Sequence, residues 1–314
     1  MSADESLNKA EDLLARLEAA RGQLEATEDP DAAIELLQEL SDLAGRSKQS
    51  SSGPGVQPRP MPQDPDALRE LVEGYLGELA FDGVLAPLAQ PMRHSLGGKR
   101  VRPVLALAVG EALGATPDTV LPAAAAVELV HSFSLVHDDL PSLDNDTERR
   151  GRPTVWAAHG EATAILAGDA LLGEAFRLAL TYDTPAVARE LVTATLAMIG
   201  GQQLDLEGGH DLHRLHELKT GALFGAAVMC GALAAGLAEA DHAPWRAFAG
   251  ELGVLFQAVD DILDGDGFVL EVGAEETRNV AEQAGARAQA RLAEIDADTS
   301  VLATIVAGLV ARTH

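Results

Sequence analysis

Two aspartate-rich stretches, each ending an apolar helical run, constrain this chain more than any other feature. The first follows the run 123–136 and places four carboxylates within nine residues, ending at Asp146. The second ends the run 252–263, where Asp260 and Asp264 are four residues apart and share a helix face. Crowded carboxylates are costly without a cation, and Mg²⁺ prefers oxygen ligands and shares its shell with phosphate. One stretch alone could be an acidic surface loop, but the pair predicts two facing walls of a magnesium and diphosphate site.

The first stretch also contains features expected of a phosphate site. Pro141 breaks or kinks the helix just after Asp138, which would turn Asp144 back toward Asp138. Arg149 and Arg150 follow in the same segment. Paired arginines can hold phosphate oxygens through parallel hydrogen bonds, so we expect this segment to bind both a metal and an anion.

The composition favours helices and argues against several classes of partner. The chain is rich in Ala, Leu and Glu, and only 4% of its residues are aromatic. Its net charge of −26 argues against binding to nucleic acid and to anionic membranes. The single cysteine, Cys230, excludes an intrachain disulfide and lies in an apolar run, which indicates a core residue. The apolar runs are short or interrupted by glycine, and the N-terminus lacks a signal-peptide core, so we expect a cytoplasmic protein without membrane insertion.

Composition also divides the chain into three parts. Residues 1–48 contain two amphipathic stripes and predict a helical hairpin. In pattern and length this hairpin resembles the exodeoxyribonuclease VII small subunit, and the alternatives are a docking hairpin without chemistry or a partly disordered tail; its partner is unknown. Residues 49–65 are rich in Ser, Gly, Pro and Gln and predict a flexible linker. Residues 66–314 form the main domain, with Asp66 as the expected cap of its first helix.

Four further motifs accompany the two aspartate-rich stretches. They are Gly97-Gly98-Lys99-Arg100-Val101-Arg102-Pro103, Gly168-Asp169-Ala170-Leu171-Leu172, Gly201-Gln202-Gln203-Leu204-Asp205-Leu206 and Lys219-Thr220-Gly221. In content and order, all six resemble the trans-isoprenyl diphosphate synthases, or polyprenyl synthetases, of the bacterial farnesyl and geranylgeranyl diphosphate synthase type. The resemblance covers residues 66–312 of the chain.

This resemblance implies a fold and a reaction. The fold would be an all-α, isoprenoid-synthase-type bundle of about ten or more helices around a central cavity, preceded by the short helical hairpin. The enzyme would be a homodimeric prenyltransferase that uses about two or three Mg²⁺ ions. The implied metal ligands are Asp138, Asp144, Asp260 and Asp264. The implied catalytic residues are Asp138, Asp139, Asp144, Lys219, Asp260 and Asp261.

Other positions would bind the two substrates. The family's contacts to isopentenyl diphosphate match Lys99, Arg102, His131 and Arg150. Its contacts to the allylic diphosphate match Arg149, Lys219, Thr220 and Gln257. Lys219 and Thr220 lie at a predicted helix start, where the helix dipole favours an anion. The alternatives are a core histidine at position 131, a solvated basic turn around Lys99 and a capping turn at Lys219.

Phe133 and Ser134 lie just before the first aspartate motif and would set the product length. Phe133 is five residues before Asp138, about one and a half helical turns deeper. In bacterial-type relatives, a large aromatic residue at this position goes with a C15 product and a smaller one with C20. This residue therefore favours farnesyl diphosphate, with geranylgeranyl diphosphate as the alternative.

The chain departs from the family after Asp264. Relatives carry a longer loop with glycine and lysine that closes over the diphosphate, whereas here residues 265–268 lead almost directly into a predicted helix. No lysine follows Lys219 in the sequence, and Arg278 is the nearest cation. A non-catalytic partner subunit of a prenyltransferase therefore stays open. A terpene cyclase is a further alternative, but it would not need the motif at 97–103.

Some polar residues near these motifs have simpler interpretations. Gln202 and Asp205 share a helix face and are expected to support the site without touching the reacting groups. His210, His213 and His216 recur every three residues, but no other soft-metal ligand lies nearby in sequence. We therefore interpret the histidine segment as a polar loop.

Overall fold

The computed structural model describes residues 61, 63–208, 211–265 and 267–313. These residues are helical apart from connecting turns and one two-stranded ribbon. The prediction of an all-α fold is therefore confirmed. The predicted hairpin at 1–48 lies outside the described residues, as does most of the predicted linker at 49–65.

Thirteen α-helices occur in the described part of the chain. They are α1 Pro65–Glu78, α2 Ala89–Ser95, α3 Val101–Ala112, α4 Pro117–Asp138, α5 Val155–His159, α6 Glu161–Ala179, α7 Ala186–Glu207, α8 Leu212–His216, α9 Ala222–Ala234, α10 His242–Asp264, α11 Phe268–Val272, α12 Ala274–Ala293 and α13 Ser300–Val310. A π-helical turn joins α8 to α9 at Glu217–Gly221, and 3₁₀ turns lie at Gly83–Leu88, Glu239–Asp241 and Ala311–Thr313. The ribbon consists of β1 (Glu148–Arg149) and β2 (Arg152–Pro153), which pair antiparallel.

Helix α1 begins slightly earlier than predicted. Asp64 accepts a hydrogen bond from the backbone N–H of Ala67 (3.1 Å), and Pro65 occupies the first helical position. Proline suits this position because the N–H that it lacks would have no partner inside the helix. The prediction of Asp66 as the cap was therefore wrong: two aspartates flank Pro65, and the one that precedes the proline is the cap.

Helices α4 and α9 form the centre of the core. Both are apolar on nearly all sides, as buried helices are. Helix α4 packs against α3, α6 and α9, and α9 also packs against α7 and α10. The approach of α9 to α3 depends on Gly231, because a Cβ there would overlap the backbone carbonyl of Ala106. Cys230, beside this contact, is fully buried as predicted.

Two stretches, Pro117–Asp138 and Leu212–Ala234, are long and apolar enough to cross a bilayer by length and composition alone. In their most apolar windows, 72% and 56% of the residues are buried within the fold. Core helices meet the same criterion, so these two stretches are weak indications of a membrane span.

Helix α10 connects the core to the C-terminal helices. It packs against α12 on one side and against α9 and the π-helical turn on the other. The C-terminal parts of α4 and α10 both border a central cavity, together with α7 and the π-helical turn. The packing therefore brings the two aspartate motifs, which are far apart in sequence, to one place.

Candidate active site

The first aspartate motif forms a tight turn at the end of α4. The backbone N–H of Asp144 donates to the backbone carbonyl of Asp138 (2.9 Å), and Asn145 adopts a left-handed conformation with a φ of +57°. The chain thus turns back after Pro141 and brings Asp144 beside the helix end. Asp138 borders the central cavity from this end.

Asp139 is buried and holds an arginine. The Nε and Nη2 atoms of Arg149 both donate to Asp139 Oδ1 at 2.7 Å, and Asp146 Oδ2 lies 3.5 Å from the same Nη2. A small cleft of about 60 Å³ lies next to the central cavity, beside α4. It is bordered by Asp139, Arg149 and Arg150. Charge-assisted hydrogen bonds therefore position Arg149 through Asp139.

The second aspartate motif divides its side chains between two directions. Asp260 borders the central cavity, and Asp264 is exposed at the end of α10. Asp261 is only 2% exposed and accepts hydrogen bonds from Gln257 Nε2 (2.6 Å) and from the backbone N–H of Phe268 (2.8 Å). Gln257 borders a neighbouring cavity of about 330 Å³. Asp260 is therefore the residue of this motif that faces the central cavity.

Burial makes the two cavity carboxylates costly to ionise. Burial is the main cause that raises the pKa of Asp138 to about 6, while Lys219 opposes this shift and Asp144 adds to it. Burial, and then repulsion from Asp264, raises the pKa of Asp260. A bound cation would favour the ionised form of both groups.

A metal at this site would need additional ligands. Within the described ranges, no three acidic, histidine or cysteine side chains converge as a preformed metal centre. Mg²⁺ commonly takes one or two carboxylates and completes its shell with water and phosphate oxygens. The carboxylates on α4 and α10 therefore fit an ion that is bound together with a diphosphate.

A partly buried arginine, Arg102, faces the same cavity. The guanidinium of Arg102 lies 4.4 Å from the ring centroid of Phe224, and burial lowers the pKa of Arg102 to about 10. Its Nε has no hydrogen-bond partner among the residues that the structure describes. Burial and the charge of Arg102 lower the pKa of His131 well below its usual value. A buried cationic donor without an acceptor fits a bound anion such as a diphosphate.

A buried ion-pair network lies directly beside this arginine and is not indicated by the motifs. Arg100 Nη1 donates to Glu128 on α4 (2.6 Å), and Arg100 Nε and Nη2 donate to Glu73 on α1 (2.9 and 3.2 Å). The side chains of Arg100 and Glu128 are each 3% exposed. Arg100 also has a φ of +54°, a strained conformation that such pairing maintains. The available signal in the sequence was Glu128, a lone carboxylate inside an apolar helix.

Gly98, with a φ of +122°, makes room for Arg150. The Arg150 guanidinium donates to the backbone carbonyl of Gly97 and fills the space where a Cβ of residue 98 would lie. The paired glycines thus bring Arg150 to the segment that carries Lys99 and Arg102. Lys99 itself borders a separate cavity of about 350 Å³ between α1, α3 and α13.

The π-helical turn presents Lys219 and Thr220 to the central cavity. Lys219 Nζ pairs with Asp205 on α7 at 2.6 Å. Gly201 allows α7 to approach this turn, because a Cβ there would lie 2.8 Å from the backbone nitrogen of Lys219. Asp205 and Gly201 therefore support Lys219, which is the kind of role expected for Asp205, whereas Gln202 of the same motif lines the central cavity.

The central cavity has a volume of about 410 Å³. Phe133 and Ser134 border it on α4, and the Phe133 ring packs edge-on against His137 with 4.9 Å between centroids. Apolar side chains complete the wall: Leu143, Met198, Ile199, Leu206, Leu223 and Phe256. Charged groups and apolar walls in one cavity suit a ligand with an anionic head and a hydrocarbon tail.

The predicted site residues separate into three groups. Those that border the central cavity are Arg102, His131, Phe133, Ser134, Asp138, Lys219, Thr220 and Asp260. A second group borders other cavities: Asp139, Arg149, Arg150, Lys99 and Gln257. Among the described residues, a third group borders none of these cavities: Asp144, Asp261 and Asp264.

The histidine segment differs from the polar loop that we expected. His213 and His216 lie on the short helix α8, while His210 lies outside the described residues. Asp211 caps this helix by accepting a hydrogen bond from the backbone N–H of His213 (2.9 Å). Asp211, directly before the first helical residue Leu212, was the missed helix-start signal.

Sequence comparisons agree with this geometry. Residues 86–273 match the family model described as polyprenyl synthetase. The farnesyl diphosphate synthase of Geobacillus stearothermophilus is 39% identical over 266 residues, which are 73% of this chain and 90% of that protein. The geranylgeranyl diphosphate synthase of Cyanophora paradoxa is 43% identical over 215 residues, which are 62% of this chain and 71% of that protein.

Solved structures share the fold as well. The geranyltranstransferase of Thermotoga maritima superposes with a TM-score of 0.72 at 29% identity, covering 79% of this chain and 98% of that one. A farnesyl and geranylfarnesyl diphosphate synthase of Zymomonas mobilis, named FPP/GFPP synthase, superposes with a TM-score of 0.69 at 32% identity, covering 78% and 96%. The family model spans more than half of this chain and includes both aspartate motifs, so the chain belongs to the polyprenyl synthetase family.

Proposed function

We propose that this protein is a prenyltransferase that condenses isopentenyl diphosphate with an allylic diphosphate. The observation that carries the proposal is the central cavity, where Asp138 and Asp260 meet the cations Arg102 and Lys219 above an apolar wall. The relatives named above, farnesyl and geranylgeranyl diphosphate synthases, support the same reaction class.

We propose Mg²⁺ as the metal, held by Asp138, Asp144, Asp260 and Asp264 in about two or three ions. Burial raises the pKa values of Asp138 and Asp260, and a bound cation would favour the ionised form of both. When bound, Mg²⁺ would neutralise the diphosphate charge and weaken the carbon–oxygen bond of the allylic substrate. The protein residues perform the remaining work by binding and orienting the two substrates.

Cations on two elements would share the departing diphosphate. Lys219 on the π-helical turn and Arg149, held by Asp139, would stabilise the negative charge that grows as the carbon–oxygen bond breaks. Lys219 now pairs with Asp205, so an incoming diphosphate would compete with that carboxylate for the ammonium group. Both cations are therefore preorganised by carboxylates before substrate arrives.

The second substrate would be held from α3 and its preceding loop. Arg102, whose Nε lacks a partner among the described residues, and Arg150 would bind isopentenyl diphosphate so that its alkene faces the allylic carbon. A new carbon–carbon bond then forms, and a proton leaves the isopentenyl carbon for the released diphosphate. The apolar wall that includes Leu223 and Phe256 would keep water from the cationic carbon.

We propose farnesyl diphosphate as the main product. Phe133 borders the cavity on α4 and is only 7% exposed, so its ring can act as a floor below Asp138. A C20 product would need space that this ring occupies, unless the floor lies deeper. Geranylgeranyl diphosphate is therefore the alternative product.

We further propose that the enzyme is a homodimer. Large apolar side chains are exposed along neighbouring helices α6 and α7: Ile165, Leu166, Val192, Leu196 and Ile199. Such a face is expected to pair with a second copy.

We also propose a cytoplasmic location, without membrane insertion and without a nucleic-acid partner. Residues 1–48 would have a docking role, and residues 49–65 would link them to the catalytic domain at 66–314.

A product assay tests the proposed function. Purified protein, Mg²⁺ and labelled isopentenyl diphosphate are incubated with dimethylallyl, geranyl or farnesyl diphosphate, and the product length is measured. We expect extension that stops at C15. A product of C20 or longer would keep the reaction and discard the Phe133 floor. Folded protein that makes no product with any primer would favour the non-catalytic subunit.

A further inference from the structure

The carboxylate of Asp261 is buried within a motif whose other acidic residues are exposed. Asp260 and Asp264 reach solvent, whereas Asp261 is 2% exposed. A buried carboxylate is costly unless hydrogen bonds replace its water shell. Gln257 Nε2 donates to its Oδ1 at 2.6 Å, and the backbone N–H of Phe268 donates to its Oδ2 at 2.8 Å. These partners turn the carboxylate away from the central cavity.

This carboxylate fixes the turn that follows α10. Gly267 has a φ of +49° and packs so closely against Asp261 that a Cβ there would overlap the carboxylate. The next residue, Phe268, begins α11 and supplies the backbone N–H. The short connection after Asp264 is thus tied to α10 through one side chain.

Asp261 also lies near the segment that carries Lys219, at the outer limit of ion-pair distance from His216. Its Oδ2 lies 4.0 Å from His216 Nδ1, and the His216 ring packs edge-on against Phe268 with 5.0 Å between centroids. His216 is the last residue of α8, directly before the π-helical turn with Lys219 and Thr220. Helix α10, the turn after it and the Lys219 segment therefore meet at one carboxylate.

We propose that Asp261 is a positioning residue that sets the allylic diphosphate grip and does not bind metal. Its contacts hold the π-helical turn with Lys219 against α10, and so fix Lys219 relative to Asp260 across the cavity. The anion's identity rests on the proposed function.

The two variants Asp261→Ala and Asp261→Asn separate this role from metal binding, with Asp260→Asn as the control. Asp261→Ala should raise the KM for the allylic diphosphate by about tenfold, because it removes charge-assisted hydrogen bonds. The KM for isopentenyl diphosphate should stay the same, since Arg102 and Arg150 lie on other elements. The Mg²⁺ concentration at half-maximal rate should shift in Asp260→Asn and stay unchanged in both Asp261 variants.

Asp261→Asn should restore most of the loss. Its Oδ1 can still accept from Phe268, and its Nδ2 can donate to Gln257 Oε1, which has no hydrogen-bond partner in the described part of the chain. A shift in the Mg²⁺ requirement of Asp261→Asn as large as that of Asp260→Asn would overturn the proposal. A loss of stability in Asp261→Ala with both KM values unchanged would also overturn it.

Amide hydrogen exchange provides a test that does not depend on turnover. Exchange in segments 211–221 and 267–272 should be faster in Asp261→Ala than in the unaltered protein, and unchanged in Asp260→Asn. Equal exchange in all three proteins would contradict the positioning role. Failure of the unaltered protein to make any prenyl product would instead refute the proposed function, and exchange would still decide the role of Asp261.

Discussion

The ends of α4 and α10 use the same Asp-Asp pair in two different ways. In each pair the first residue, Asp138 or Asp260, borders the central cavity, and the second, Asp139 or Asp261, is buried. Consecutive residues on a helix point about 100° apart, so both members of a pair cannot face the same cavity. Asp139 holds a cationic side chain, whereas Asp261 holds the backbone of the following turn.

A carboxylate can thus support an anion-binding site in two ways: it can orient a cationic side chain, or it can hold a segment of backbone. Losing Asp139 would release a charge, the guanidinium of Arg149, which we propose binds the departing diphosphate. Losing Asp261 would release a segment of chain and leave the cations intact. The first aspartates at the ends of α4 and α10 therefore have the same role, and the second aspartates have different roles.

The strongest test of this equivalence is the removal of the first residues. Asp138→Ala and Asp260→Ala should each lower kcat by about a thousandfold or more, because each removes a proposed ligand of the metal that would stabilise the departing charge. Steady-state kinetics at saturating Mg²⁺ measure this loss. Asp118→Ala, at an exposed position in the first turn of the same helix α4, is the matched control and should behave normally. Normal turnover of either cavity variant would end the metal assignment on that wall.

The second residue of the first pair should have a smaller effect that passes through Arg149. Asp139→Ala should raise the allylic KM by about tenfold to a hundredfold, because two charge-assisted hydrogen bonds are lost. Adding Arg149→Ala to this variant should cost little more than Arg149→Ala alone, which a double-mutant cycle measures. Strictly additive effects would show that Asp139 acts independently of Arg149 and would break the comparison with Asp261.

Phe133 on α4 and Phe256 on α10 are the aromatic residues of the two cavity walls. Their replacement should have the smallest effect on rate and the clearest effect on product length. Phe133→Ala should shift the main product from C15 to C20, because it removes the ring that borders the cavity below Asp138. Phe256→Ala, on α10, should not lengthen the product, since that ring lies 5.6 Å from the Arg102 guanidinium near the charged groups. Chromatography of the dephosphorylated products measures both. Equal lengthening by the two variants would mean that neither wall alone sets the floor.

Much of the bundle could be predicted from the sequence because its helices are strongly apolar and end at clear breakers. Pro141 ends α4, and the apolar run before Asp260 places that residue on an inward face. Helical spacing could not reveal that Gln257, on nearly the same face as Asp260, borders a different cavity. A bond to Asp261 turns the Gln257 side chain, and such a contact depends on the tertiary fold and not on the period.

The Arg100 network was missed for a related reason. Arg100 stands between Lys99 and Arg102 in a basic segment, where its charge suggests another substrate contact. Its partners, Glu73 and Glu128, lie on two different helices, so no local pattern in the sequence connects them. Only the packing of α1 against α4 reveals that this arginine is neutralised inside the protein.

The internal neutralisation of Arg100 has a consequence for how substrates reach the site. Because Glu73 and Glu128 cancel its charge, the field that an incoming diphosphate meets comes from a few remaining cations within a chain of net charge −26. At long range the molecule repels an anion, and attraction begins only close to the cavity. Ions in solution screen the distant repulsion over a Debye length of about 10 Å at 0.1 M salt, while the buried cations are screened much less. Moderate salt should therefore ease the capture of these substrates, in contrast to the usual weakening of encounters between opposite charges.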